Sequence, residues 1–499
     1  MFNFPSRIVS VFRSKSWIDD GYQLYSRENR PFMVPSLLEE PSLVVLPPSM
    51  TSELILAKEA ELSFWNALDD IVFSEHAFYS PRILSLPLQT TIIRRHLSSG
   101  AQRFMPDMVD QLRNTLDREW GSEKPKQWKC VNLFKSLLNV VNGLVSVVFV
   151  GSDLANDREF QTSINKHTEQ VFVTMSALRF VPRKLKSWAS PFIRRRQDKY
   201  RIEVERKLMP LIIDRMNNYT EIKEGSSKSQ DKPDDLLQWL IDCQASLKDP
   251  AERAIELEPS MIVTRVLMSY FVSVFLVNVA LFNAVSIMGQ LDEANYWPVI
   301  YNEAHNVLYA DQCGWTKEKI DKLWKTDSFV KETMRFVGDA CFEMRRKRLK
   351  QSTNSFLSRL SLTQVMAPTG INLSDGTHLP FGTTVGLPSY AIHHDDRFYP
   401  QAARFDGLRF VKLRENEDAN IARGSLLTAT SNTFLQFGHG RHGCPGRFLA
   451  TDILKLILAE ITLRFEIRWD EKPEKNSWFG NSLLPGQNTV VSVSPRDLQ

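Results

Sequence analysis

The chain has 499 residues, 43% of them hydrophobic and 24% charged, with a formal net charge of +4. Those fractions exclude a disordered, collagen-like or disulfide-stapled protein, and the charge is too small to argue for a nucleic-acid partner. The five cysteines (Cys130, Cys243, Cys313, Cys341 and Cys444) include no CxxC pair, which counts against a zinc ribbon or a disulfide framework and favours a reducing compartment.

Residues 1–16 are basic, weakly amphipathic and too poor in apolar side chains for a signal peptide or a bilayer span. Turn signals at Pro35, Pro41, Pro47 and Pro48 alternate with short strand-like runs such as Ser42–Leu46. From about residue 89 to residue 220 the pattern is helical. Leu137–Val150 is apolar enough to be buried, and Arg194–Asn217 carries an apolar stripe (Val204, Leu208, Leu211, Ile212) and a kink expected at Pro210. Lys223–Asp235 has loop composition without marking a domain boundary.

Helices are then predicted at 236–248, 258–291, 296–309 and 316–337. The uncharged stretch Val266–Leu291 is long enough to cross a membrane. Ser269, Tyr270, Ser273, Asn278, Asn283 and Ser286 interrupt it, and no one-sided basic flank marks it, so a helix through the middle of a large protein is the alternative. Strand signals gather between 361 and 390, with turns at Asp375-Gly376-Thr377 and Phe381-Gly382-Thr383 and an extended run over Thr384–Leu387. A loop-rich stretch, 391–436, precedes the last amphipathic helix, Gly446–Phe465, and Val491–Ser494 alternates like an edge strand. The sum is mainly α with a smaller β part, read as a single catalytic unit over 1–499.

The chemistry concentrates in Phe434–Ala450, FLQFGHGRHGCPGRFLA. Gly438, Gly440, Gly443 and Gly446 surround Cys444, and Pro445 stands where a helix opens. Glycines let the backbone lie against a flat ligand, while N–H groups at the turn and helix start can point at the cysteine sulfur and hold it as a thiolate. Taken alone, such a loop is equally a turn around a buried thiol. The ordered string FGHGRHGCPGRF resembles the haem-binding loop of the cytochromes P-450 in the form typical of filamentous fungi. That resemblance implies haem as cofactor, Cys444 as its axial iron ligand, and Phe437, Gly438, Gly440, Arg441, His442 and Gly446 around it, with Arg441, His442 or both at a propionate.

Upstream, Lys331-Glu332-Thr333-Met334-Arg335 matches the family's Glu-x-x-Arg, whose i, i+3 spacing puts both side chains on one helix face. Arg409, in RFDGLRF, resembles the family's third partner, so the resemblance implies a buried structural lock of Glu332, Arg335 and Arg409. Leu373–Asp395 resembles the hairpin and strand that border the substrate pocket. The His393-His394-Asp395-Asp396 run is read as turn capping in preference to a metal site. The likeness reaches back through DDGYQLYSRENRPFMVP and VVLPPS to about Trp17, and it makes Val266–Leu291 the long central helix that crosses the haem.

Two departures stand out. The family's central helix usually carries an acid or His followed by Thr; an ungapped comparison puts Phe275 and Leu276 there, leaving Asn278 or Ser273 as the polar substitute for catalysis. The run Val337–Leu360, basic on one side and rich in Ser and Asn on the other, has no counterpart in the pattern. It is read as a loop insertion or a translated intron that disturbs the strand expected after Arg335; the alternative is a surface patch for an acidic partner.

As a whole the resemblance implies a monooxygenase of fungal secondary metabolism. It would oxidise a hydrophobic small molecule, a terpenoid or similar polycycle, with NADPH electrons delivered by a separate cytochrome P-450 reductase. A haem-thiolate isomerase, dehydratase or ring-forming enzyme, and an inactive haem or lipophile binder, are the alternatives. Relatives are tethered to the endoplasmic reticulum by an N-terminal helix; with none visible in 1–16, the resemblance implies peripheral contact with the cytosolic face of that membrane.

Overall fold

Two apolar helices run through the middle of the molecule, and the rest of the fold is arranged to cover them. The computed structural model describes residues 4–36, 43–122, 127–223, 232–290, 295–311, 313–338, 340, 343–348 and 370–496. The central helix, Pro259–Gln290, packs against Leu133–Val150, Trp324–Val337, Arg195–Lys223 and Arg447–Arg464. Both apolar helices are long and hydrophobic enough to span a bilayer, yet 83% of the Leu133–Val150 window and 61% of the central one are buried within the protein. The membrane-span reading of Val266–Leu291 therefore gives way to a core helix. Each fully buried Leu, Val or Phe along it contributes about 1.5–3 kcal/mol relative to exposure.

Polar side chains on these helices are placed where neighbours satisfy them. Tyr270 donates to Ser146 Oγ at 2.9 Å, and Ser146 also accepts from Gln161 Nε2 at 2.8 Å, which joins three helices through one buried hydroxyl. At the front of the central helix Arg265 and Glu256, both fully buried, pair at 2.8 Å, with Arg82 and Gln89 completing the set. Arg195–Lys223 runs unbroken through Pro210; of its predicted stripe, Val204, Leu208 and Ile212 are buried and Leu211 is half-buried.

The predicted 316–337 helix is two, Lys317–Asp321 and Trp324–Val337. The N-terminal segment, read from sequence only as weakly amphipathic, is helical over Phe4–Leu24. Ile18 and Tyr22 bury its inner face. Gly21 admits the Phe32 ring, since a Cβ there would lie 2.1 Å from Phe32 Cε2. Tyr22 donates to Asp395 Oδ2 at 2.7 Å, tying this helix to the far end of the chain.

The main sheet mixes segments distant in sequence. Leu43–Val45 pairs antiparallel with Phe32–Val34 and parallel with Thr384–Leu387, in the register Leu43↔Thr384. Thr384–Leu387 then pairs antiparallel with Glu343–Arg348, which also meets Leu62–Ser63. This corrects the reading of 337–360 as an insertion over part of its length: 343–348 is a strand of the main sheet, and the strand expected after Arg335 is in place. Nor does that part offer a free basic patch, because Arg346 is buried and Lys347 pairs with Asp70. Residues 349–360 lie outside the described residues. Val490–Pro495, expected at an edge, is the middle strand of a second sheet between Lys129–Asn132 and Phe465–Arg468, and Val491–Ser494 are all buried.

Candidate active site

A cleft of about 230 Å³ lies between the central helix and the start of the last one. Phe437, Cys444, Pro445, Gly446 and Leu449 line one side, and Ser273, Leu276, Val277, Ala280 and Asn283 the other. Of the cysteines among the described residues, Cys444 alone lines it.

The loop holding Cys444 is wound by its own backbone. Gly438 N donates to Leu435 O at 2.8 Å, and Cys444 N donates to Phe437 O at 2.7 Å. Gly438 (φ 63°) and Gly440 (φ 72°) take left-handed conformations that a side chain would strain. They shape the turn without lining the cleft. The last helix starts at Arg447 with Gly446 as its cap. Burial pushes the Cys444 thiol up, and the backbone N–H groups of Gly446 and Arg447, with the Arg447 guanidinium, pull it back. The net direction is upward, so these groups offset only part of the cost of burying a thiolate. Arg447 is itself fixed by Cys444 O at 2.8 Å and Thr428 O at 3.0 Å.

Behind this loop the three lock residues meet. Arg335 forks onto Glu332 with two bonds of 2.7 Å, and both side chains are wholly buried. Arg409 Nε reaches Glu332 Oε2 at 3.0 Å, and the Asp406 amide reaches Oε1 at 3.0 Å. Arg335 spends its remaining donors on the His393 and Ala402 carbonyls, and Arg409 spends its own on those of Pro400 and Arg404. Every strong donor has an oxygen, which is what a buried ion cluster requires.

The two basic residues before Cys444 are held outside the cleft lining. His442 turns from the cleft: Nε2 lies 3.0 Å from Glu59 Oε2, and its ring stacks on Phe64 at 4.8 Å. Arg441 is exposed, and its carbonyl accepts from Arg94 at 3.1 Å. Neither lines the cleft. Arg346, whose guanidinium burial lowers to about 10, sits on the neighbouring strand. The cation set beside the loop is thus wider than the motif, comprising Arg94, Arg346, Arg441 and Arg447.

On the distal side Ser273 lines the cleft as expected, and Asn278 does not. Asn278 is buried, with Nδ2 donating to Phe134 O at 3.2 Å. Positions 273, 276, 277, 280 and 283 share the cleft face. Residue 278 stands about 200° around the helix from 276, so the pattern of 100° per residue removes it. Phe275, placed by the ungapped comparison at the position of the family's His, stacks on Phe172 at 5.6 Å and packs on Phe134. Asn283, Thr333 and Gln436 are polar liners that sequence reasoning missed; two helical turns on from Leu276 would have found Asn283.

The His393–Asp396 run holds no metal-ligand geometry, and no group of three or more such ligands occurs among the described residues. His393 and His394 face backbone and ring partners. Asp395 is held down to about 2: burial raises it, and the bonds from Arg397 and Tyr22 outweigh that.

The lining fits a flat apolar ring bound through a thiolate. One cysteine faces the cleft with helix N–H groups on its sulfur, the walls are aliphatic, and cations stand beside the loop. A family model described as "Cytochrome P450" matches residues 357–492. The chain is 77% identical over 489 residues to cytochrome P450 monooxygenase avaH of Aspergillus versicolor, with 98% of each chain covered. It is 26% identical over 503 residues to cytochrome P450 monooxygenase gloP of Glarea lozoyensis, covering 98% of this chain and 88% of that one. Among solved structures, retinoic acid-bound cyanobacterial CYP120A1 matches with a TM-score of 0.63 at 14% identity, covering 97% and 96% of the two chains.

Proposed function

The chain belongs to the cytochrome P450 family, a monooxygenase of the fungal secondary-metabolism type, and from that premise we propose that Cys444 holds its haem for oxidation of a hydrophobic small molecule. The family's haem, bound through a cysteine thiolate, supplies the oxygen-activating chemistry. The observation that carries the assignment is Cys444 in the cleft wall with the Gly446 and Arg447 amides on its sulfur. Those amides and Arg447 stabilise negative charge there, while Phe437, Pro445 and Leu449 keep water from it. Glu332, Arg335 and Arg409 serve as the structural lock behind the loop.

Aliphatic walls select an apolar substrate by its surface, with Ser273 the hydroxyl placed to orient it, since Asn283, Thr333 and Gln436 bond to Asn476, Phe329 and His393. A terpenoid or similar polycycle suits that lining. Electrons are proposed to come from NADPH through a separate reductase, as membership of this family implies. The nearly apolar distal face favours a second reading, a haem-thiolate enzyme that rearranges its substrate without net oxidation.

We place the protein on the cytosolic face of the endoplasmic reticulum membrane. Phe12 (76% exposed), Trp188 (71%) and Phe192 (70%) stand out on two segments, 4–18 and 176–197, that carry basic residues and no acidic ones. Binding of the full chain to anionic vesicles, lost in the triple alanine variant at these positions, supports the placement; equal binding by the variant sinks it.

The deciding experiment is the absorption spectrum of the reduced, carbon monoxide-bound protein, followed by turnover with reductase and NADPH. The red-shifted band that gives the family its name is the expected result; its absence from intact, haem-loaded protein overturns Cys444 as ligand. Product formed without NADPH selects the second reading.

A further inference from the structure

His393 belongs to neither the lock nor the thiolate loop, yet it touches both. It ends the short helix Ser389–His393 and is fully buried. Its carbonyl accepts from Arg335 Nη1. Its ring faces the other way, where the Leu435 amide donates to Nε2 at 3.1 Å and the Gln436 side-chain amide lies 3.3 Å from Nδ1. Phe434 stacks beside the ring at 5.7 Å, and Tyr399 meets it edge-on at 6.3 Å. An imidazole that accepts at Nε2 while neutral carries its proton on Nδ1. The Gln436 amide then turns its oxygen toward Nδ1–H, an orientation the bond pattern requires because two N–H donors cannot pair.

From this point the bonds continue into the ligand loop. Leu435 O accepts from Gly438 N, and Phe437 O accepts from Cys444 N. On the other side the same residue is bonded to Arg335, which forks onto Glu332. We propose that His393 is a positioning residue that ties the thiolate loop to the Glu332–Arg335 lock and so fixes the height of the Cys444 sulfur in the cleft. The inference rests on the reading of Cys444 as the haem ligand. It makes the lock's effect on the haem direct: a shift of the Arg335 guanidinium moves the His393 carbonyl, and the ring carries that shift to Leu435 and Gln436.

The test uses the haem-loaded full chain and follows, in dilute guanidinium, the rate at which the thiolate-type carbon monoxide band gives way to the blue-shifted band of haem that has lost its thiolate. His393→Leu, which removes both ring bonds, is expected to speed this conversion about tenfold. His393→Gln, whose carbonyl oxygen reaches the place of Nε2, should restore the rate to within about threefold of the parent. Gln436→Leu, losing one bond, should fall between. A parent-like rate for His393→Leu overturns the proposal, as does a Gln variant as fast as Leu, since packing alone would then explain the effect. Should His393→Leu fail to take up haem, His393→Asn replaces it, because its shorter side chain leaves Leu435 N–H without an acceptor; a parent-like rate there is equally fatal. Absence of the thiolate band in the parent defeats the Cys444 reading, whereas variants that convert at the parent's rate defeat the role of His393 alone.

Discussion

The two walls of the cleft are built on opposite plans. The ligand-side wall rests on a dense polar lattice in which Glu332, Arg335, Arg409, His393 and the Cys444 loop exchange bonds of about 3 Å, nearly all of them buried. The distal wall is one helix whose cleft face carries Ser273 and Asn283 among aliphatic residues, with Asn278 and Phe275 turned away. The lattice tolerates little change, because each member leaves a buried charge or N–H behind when removed. The distal wall is apolar packing with slack, where a change of side chain alters chemistry more than stability. Position is fixed on one side of the cleft, and reactivity is left to be tuned on the other.

The sharpest way to break the comparison is at the sulfur itself. Cys444→Ser should abolish the thiolate-type carbon monoxide band altogether while leaving the distal helix untouched. Persistence of the band in the variant would move the ligand to another residue and dissolve the ligand-side wall as described.

Next in size are the lock variants. Glu332→Ala or Arg335→Ala strands the other buried charge, at a cost of about 3–5 kcal/mol. The variants should fail to retain haem, whereas Ser273→Ala on the opposite wall should keep its full complement. Normal haem content and an unchanged melting temperature in either lock variant would show that the cluster is decoration.

A third effect is smaller and titratable. Burial, joined by Arg335 and Lys15, lowers His394 beside the lock to about 4, against an opposing bond to the Tyr390 carbonyl. Burial, joined by Arg201, lowers His167 on the distal side to about 3. Both are neutral in the folded protein, and the unfolded chain takes up their protons first as pH falls below the ordinary value of 6.5. The stability they contribute is complete above that pH and is lost as pH falls through about 4. Melting temperature should fall over that window, and His394→Phe should flatten the fall. A profile unchanged by the substitution removes His394 as a cause.

The ligand-side wall was legible in the sequence chiefly through its resemblance to a known motif string, since the loop alone also reads as a turn around a buried thiol and Arg409 lies 77 positions from Glu332. Glu332 and Arg335 share a helix turn, and the glycines around Cys444 announce a turn in four positions out of nine. His393 was not legible as a tether, since its partners Leu435 and Gln436 lie more than forty positions away and only the fold brings them together. The partners of His442 were not legible for the same reason: Glu59 and Phe64, which hold its ring, come from the other end of the chain. The N-terminal helix escaped because its weak amphipathic pattern is supplemented by single contacts such as Tyr22–Asp395. The strand at 343–348 was hidden by charge: Arg346 and Lys347 read as surface until Asp70 and the sheet are seen to receive them.

The smallest effect concerns the distal helix, where the choice of residue decides which side chains could hold or deliver a proton in the cleft. Ser273 is the hydroxyl that the distal helix presents to the cleft, and Asn283, bonded to Asn476 at 2.8 Å, is committed elsewhere through its oxygen. Coupling of NADPH use to product should therefore be poor, with peroxide as the leak. Leu276 and Ala280 share the cleft face one turn apart, so Leu276→Thr or Ala280→Thr brings a hydroxyl into the cleft and should raise product per NADPH by about two- to tenfold. Phe275→His should not, because that ring lies in the aromatic stack with Phe134 and Phe172 and an imidazole there faces helices instead of the cleft. The measurement is product and peroxide per NADPH for each variant against the parent. A gain from Phe275→His with none from Leu276→Thr or Ala280→Thr would mean that the helix presents a different face when substrate is bound. Tight coupling in the parent would mean that Ser273 and ordered water already serve the relay, and the contrast between a fixed wall and a tunable one would then reduce to a difference in rigidity.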